Sequence, residues 1–136
     1  MKELGLIRRA VFDYLDDQID GVDHYFCGHT VFLHDETDLP AICVFVDDAQ
    51  SDDIDLCGAY WSAKLHIQVY LKSTLPAEDE LDELMDAVIA KCADFESEYL
   101  ERFELSAVSY INDDKQAEWI IGAIQYDIAF YRKGAD

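Results

Sequence analysis

Hydrophobic and polar positions alternate without a break from Trp61 to Lys72. Trp61, Ala63, Leu65, Ile67, Val69 and Leu71 share one parity; Ser62, Lys64, His66, Gln68, Tyr70 and Lys72 share the other. Successive side chains of a strand point to opposite faces, so this period of two predicts a long strand with a core face and a wetter face. The run before it, from Pro40 through Ala41, Ile42, Cys43, Val44, Phe45 and Val46, is apolar at every position. Such a run predicts a strand covered on both sides or lying mid-sheet, with proline tolerated where it opens. Between the two lie Asp47, Asp48, Asp52, Asp53 and Asp55, with no lysine or arginine among them. Their mutual repulsion predicts an exposed loop or loose hairpin tip from Asp47 to Asp55.

On either side of this pair the period becomes helical. Leu4, Ile7, Ala10, Val11, Tyr14 and Leu15 recur at three- and four-residue spacing, which predicts a first helix from about Lys2 to Gln18, closed before Gly21. A second helix is predicted from about Ala77 to Phe95, where Leu81, Leu84, Met85, Val88, Ile89, Cys92 and Phe95 trace one face, with room for a further turn from Glu96 to Phe103. Pro76 stands near its first turn, and Glu78, Asp79 and Glu80 complement the positive end of the helix dipole. Short β-type runs between Val22 and Leu33, broken at Gly28, predict a small hairpin or a bent strand. Leu105–Ile111 and Trp119–Tyr131 predict two closing strands; in the second, Ile120, Gly122, Ile124, Tyr126, Ile128 and Phe130 share a face. The order of helix, strands, helix, strands predicts an α+β fold: a mainly antiparallel or mixed sheet with two helices packed on one face.

Charge changes what this scaffold can be expected to meet. The 136 residues, read as one domain, carry 30 acidic against 10 basic side chains, a formal net charge of -20. That excludes a surface built to grip nucleic acid, which needs lysine and arginine against phosphate, and one that docks on anionic lipid. An acidic wall beside DNA repels it and leaves it mobile. No apolar run approaches the roughly 20 residues of a membrane helix. Met1–Leu4 opens into an amphipathic pattern, so no secretory peptide is expected. Cys27, Cys43, Cys57 and Cys92 contain no CxxC pair and are expected to be reduced thiols in a bacterial-type cytoplasm, with Cys43 and Cys92 serving as small hydrophobes.

Candidate chemistry is sparse. His24, Cys27 and His29, with His34 further on, are ligand types that zinc or iron prefers. Their spacing fits no closed zinc pattern, however, and alternation sends Cys27 and His29 to one face but His24 and His34 to the other. Rim histidines are the plainer reading. The acidic loop lacks the glycine and closing glutamate of an EF-hand, so Asp52, Asp53 and Asp55 are expected to offer weak screening by a divalent cation rather than a dedicated site. No GxSxG, glycine-rich phosphate loop or activated nucleophile is present, so no enzyme and no catalytic residue is expected. Aromatic positions say more. Tyr60 and Trp61 follow the acidic loop, and Tyr110, Trp119, Tyr126 and Tyr131 occupy the closing strands. Two helices cannot cover all of them, which predicts an aromatic partner or subunit interface.

Thr37–Phe45, Tyr60–Leu71, Leu75-Pro76 and Glu80-Leu81-Asp82 together resemble the minor tail protein U family of lambda-like phages, the terminators of long non-contractile tails. The resemblance runs from the first helix to the closing strands and is densest from Leu39 to Asp82. It implies a protomer of a hexameric ring on the end of the tail tube, which halts addition of tube subunits and offers a surface to head-completion proteins. Self, tail tube protein and connector would be the partners, DNA would pass through without specific binding, and no membrane would be involved. The place implied is the virion tail, with assembly in the host cytoplasm. Six copies at -20 each carry about -120 and must repel one another. Assembly is therefore expected to be promoted by salt or Mg2+, with no other cofactor. Asp47, Asp48, Asp52, Asp53, Asp55, Tyr60, Trp61 and Arg132 are the interface candidates. The alternative of a different class is a small cytoplasmic metal- or ligand-binding α+β protein using His24, Cys27 and His29.

Overall fold

A computed structural model describes residues 2–28, 40–51, 60–72, 77–112 and 119–132. Its elements are α1 (Lys2–Leu15), β1 (His24–Cys27), β2 (Ala41–Ser51), β3 (Tyr60–Lys72), α2 (Ala77–Cys92), β4 (Arg102–Asn112) and β5 (Trp119–Tyr131). The five strands form one mixed sheet in the order β1-β2-β3-β5-β4. β1 runs parallel to β2, and every other pairing is antiparallel. The α+β expectation holds.

The alternating run of β3 makes it the middle strand, and its inward residues Leu65, Ile67 and Val69 are fully buried. They face Val46, Val44 and Ile42 of β2 on one side and Tyr126, Ile124 and Gly122 of β5 on the other. Ile7, Val11 and Leu15 of α1 and Leu81, Leu84, Met85 and Val88 of α2 join the same buried cluster. Tyr14 donates a hydrogen bond to the Lys91 carbonyl at 2.7 Å, tying α1 to the end of α2. Met85 sits against Gly122, where a Cβ would collide with its sulfur. Glycine on β5 is what lets α2 lie that close. The apolar run Ala41–Phe45 is buried on both parities, as its composition predicts.

β4 begins at Arg102, three residues before the expected Leu105, and four other boundaries differ from the sequence expectation. The first helix stops at Leu15 because Asp17 takes a left-handed φ of 59° and Gln18 bonds back to the Leu15 carbonyl at 3.0 Å, the turn geometry that closes helices. The second ends at Cys92; the amides of Asp94 and Phe95 bond three residues back, tightening the end into a turn that reaches Phe95. A single hydrogen-bonded turn follows, the Leu100 amide bonding to the Ser97 carbonyl at 3.2 Å, and it stops short of Phe103, since β4 has begun by Arg102 with the Glu101 amide bonded to the Ala129 carbonyl. Asp47 and Asp48 belong to a strand rather than to a loop. β2 continues through them to Ser51 by a bulge, in which Asp48 takes a φ of 55° and the register with β3 shifts between Asp47 and Gln50. The added backbone ladder holds the strand together past the point where its side chains turn acidic.

Candidate assembly interface

β4 and β1 are the two edge strands of the sheet, and on β4 every residue from Glu104 to Ile111 is exposed. This exposure spans both parities. Leu105, Val108 and Tyr110 lie opposite Tyr126, Ile124 and Gly122, on the helix side. Ile111 lies opposite Ile121, on the other side. Their exposures are 46%, 45%, 55% and 39%. A bulge between Leu105 and Ala107, where the Ser106 hydroxyl donates to the Gln125 carbonyl at 3.1 Å, brings Val108 back to the helix side. An apolar outer strand, with its row of backbone donors and acceptors facing outward, is a template for another chain.

α2 flanks this edge with acid. The Tyr110 hydroxyl donates to Asp82 Oδ1, and that bond is the main reason its phenol titrates above the ordinary range, with burial and the charges of Glu78 and Asp86 adding to it. Glu78, Asp82 and Asp86 follow one another at four-residue spacing and so form one stripe along α2, facing β4.

Of the aromatic candidates, the structure separates Tyr60 from Trp61. Tyr60 stacks at a tilt on Tyr131, ring centroids 5.1 Å apart, while Trp61 turns inward and packs on the core, opposite Phe130. Tyr131 remains 54% exposed, and half-buried Arg132 follows it. Asp47 is exposed and pairs with His66 Nε2 at 2.7 Å, and exposed Asp48 neighbours it on the bulge. Asp52, Asp53 and Asp55 lie outside the described residues. So do His29, His34 and Cys57, so the metal reading can be followed only on β1, where His24 and Cys27 stand at opposite parity and half-buried. Among the described residues no three histidine, cysteine, aspartate or glutamate side chains converge as a metal site.

The buried titratable groups are quiet. Burial pushes the Cys92 thiol up to about 11 and the Tyr70 phenol up to about 12, so both stay protonated, and Cys92 is unreactive. Among the described residues no helix is long and apolar enough to cross a membrane.

Sequence reasoning placed Tyr110 among the exposed aromatics but missed Leu105, Val108 and Ile111 as surface. Residues 105–112 contain no aspartate, glutamate, lysine or arginine in a chain of net charge -20, but Ala41–Phe45 shares that feature and is buried, so it does not mark the edge.

Comparison with known proteins gives the family of the chain. Residues 3–130 match the family described as phage minor tail protein U. The chain is 31% identical over 128 residues to the tail tube terminator protein of Escherichia phage N15, covering 91% of this chain and 95% of that protein. Against the tail tube terminator protein of Escherichia phage lambda it is 29% identical over 127 residues, with the same coverage. The chain belongs to the phage minor tail protein U family.

Proposed function

We propose that this protein is a structural component of a phage tail that forms a six-membered ring on the end of the tail tube, stops addition of tube subunits and presents a surface to the head-completion proteins. The observation that carries the reading is the family match from residue 3 to residue 130, because it spans both helices and nearly the whole of every strand. The exposed apolar edge at β4 supports it, since a terminator must bind neighbours through surfaces that stay soluble beforehand. No catalysis is assigned. The protein works in the virion tail after assembly in the host cytoplasm, and its acidic surface lets DNA pass without sticking.

The net charge opposes ring closure, so salt or Mg2+ promotes assembly by screening it, with Asp52, Asp53 and Asp55 as the weak cation-screening loop. Asp47, Asp48, Tyr60 and Arg132 are proposed contacts at the neighbouring subunit or at the tube, with Trp61 supporting them from the core side. The test is tube length, measured by electron microscopy, in tail assembly with and without the protein. Tubes of uniform length only in its presence support the reading; identical length distributions overturn it. Light scattering with and without magnesium tests the ring separately, the expected species being about six times the 15.6 kDa chain.

A further inference from the structure

We infer that the acid-flanked β4 edge of one copy docks against the basic flank of α1 on a second copy, head to tail. The inference rests on the ring-forming reading above and names the surfaces that would join its subunits. Three observations meet in it.

The first is the unequal distribution of charge across the sheet. α2 lies over β3 and β5, next to β4, and carries the stripe Glu78, Asp82 and Asp86. α1 lies over β1 and β2, at the far side. It holds Lys2, Arg8 and Arg9, three of the chain's 10 basic residues, against Glu3 and Asp13, so that its outward stripe is basic from Lys2 to Arg9 and turns acidic at Asp13. Among the described residues none of these three forms an ion pair, although acidic residues outnumber basic ones 30 to 10. Arg8 folds back over Gly5, with Nη2 at 3.9 Å from where a Cβ would sit. Its Nε is closed off from solvent without a hydrogen-bond partner among the described residues. Lys2 and Arg9, exposed and left unpaired in so acidic a chain, are available to the acids of another copy.

The second observation is that both flanks mix apolar with charged surface. Leu6, 39% exposed, lies between Lys2 and Arg9 on the outward stripe of α1. Leu105, Val108 and Tyr110 lie beside the acidic stripe at β4. An apolar centre with a charged rim of opposite sign on each partner is the composition of a specific protein interface.

The third is geometric. Because the two flanks sit at opposite sides of one sheet, a contact between them uses two different surfaces of the same chain. Such a contact is heterologous, and repeating it generates a closed ring when the rotation closes. A two-fold pairing of β4 with itself would instead set two acidic stripes against each other. The attraction between flanks is local, so screening of the net charge still makes salt favourable for the ring as a whole.

Two full-length variants test this. Lys2→Glu/Arg9→Glu makes both flanks acidic; Glu78→Lys/Asp86→Lys makes both basic. All four positions are exposed, and far-ultraviolet circular dichroism with thermal melting checks that each variant folds. In sedimentation velocity under conditions where the native chain associates, each variant alone should associate at least about tenfold more weakly. Mixed in equal amounts they should associate again, because each then meets a partner of opposite sign. Variants that associate like the native chain would overturn the docking surfaces while leaving the ring reading intact. The docking surfaces fall equally if the variants self-associate normally yet fail to cap tubes, which would assign the β4 edge to a tube subunit. A native chain that stays monomeric at every concentration and salt would overturn the ring reading and this inference together.

Discussion

β4 and β5 are consecutive strands hydrogen-bonded to each other along almost their whole length, yet they live in different environments. β5 is buried from Trp119 to Ile124 and again from Ile128 to Phe130. On β4 every residue from Glu104 to Ile111 is exposed. β5 is the more apolar, with 10 of its 13 residues apolar against 6 of 11 on β4, but that does not explain why the apolar side chains that β4 does carry stay exposed. Position in the sheet does. β5 lies between β3 and β4 with α2 across it, whereas β4 has α2 only along one flank. β5 uses its apolar side chains to stabilise the fold, and those of β4 are left exposed, as the proposed contact with another chain requires.

The two strands can be separated most sharply by truncating residues that face each other across the ladder. Ile124 is fully buried and pairs with Val108, which is 45% exposed. Ile124→Ala should destabilise the chain by about 2–5 kcal/mol, through lost burial and the cavity left behind. Val108→Ala should stay within about 0.5 kcal/mol, as for an ordinary surface site. Urea denaturation of both variants checks the pair. If Val108→Ala costs as much as Ile124→Ala, β4 belongs to the protomer core and its availability to a partner is lost as an argument.

A second comparison uses Gly122 and its β4 partner Tyr110. Gly122→Ala drives a methyl into the Met85 side chain. That chain is flexible enough to move but is itself 3% exposed, so the cost should be about 1–3 kcal/mol in the same denaturation experiment. Gly122→Ala should cost less in a Met85→Ala background than in the native chain, because the methyl then enters space that the shortened side chain leaves. Non-additivity of the two changes is the expected sign, and strict additivity would mean that Gly122 serves something other than the seat of α2.

How much of the fold is legible in the sequence depends on whether periodicity or position decides the outcome. The alternation of Trp61–Lys72 fixes which side chains of β3 enter the core, and Trp119 and Tyr131 mark both ends of β5 correctly, because local pattern and packing agree there. Helix ends are legible only to within a turn, since Asp17 closes α1 by a backbone conformation that non-glycine residues seldom take. Asp47 and Asp48 look like loop residues when charge repulsion is weighed above backbone pairing, whereas the bulge in β2 lets pairing continue with both side chains in solvent. The most instructive failure is at the interface. Ala41–Phe45 and Leu105–Ile111 look alike in sequence, short and apolar on both parities, yet one lies in mid-sheet and the other at its edge. Strand order is a non-local property, so no local pattern could tell them apart. The unpaired cations of α1 are invisible for the same reason: pairing is a fact about neighbours in space.

The smallest expected effect contrasts polar contacts on the same two strands. On β5, Asp127 accepts from Lys64 Nζ at 2.6 Å, with the two side chains 35% and 39% exposed. On β4, Arg102 and Glu104 approach only to 3.7 Å and are 53% and 68% exposed. The Lys64 hydrogen bond is the main reason that the Asp127 carboxyl titrates below its ordinary range. Its folded pKa is thus below the unfolded one. The stabilisation it brings is therefore fully present above the ordinary carboxylate pKa of about 4, and it is lost as pH falls through the depressed folded value. Solvent screens a pair this exposed, so Asp127→Asn should cost only about 0.2–1 kcal/mol at pH 7, and the gap from the native chain should close in strong acid. Glu104→Gln should be indistinguishable from native at either pH. Urea denaturation across the acid range reads both. A gap for Asp127→Asn that persists unchanged into strong acid would mean that the side chain acts through its shape and not its charge. A measurable loss for Glu104→Gln would place a structural contact on the strand that the comparison leaves free for a partner.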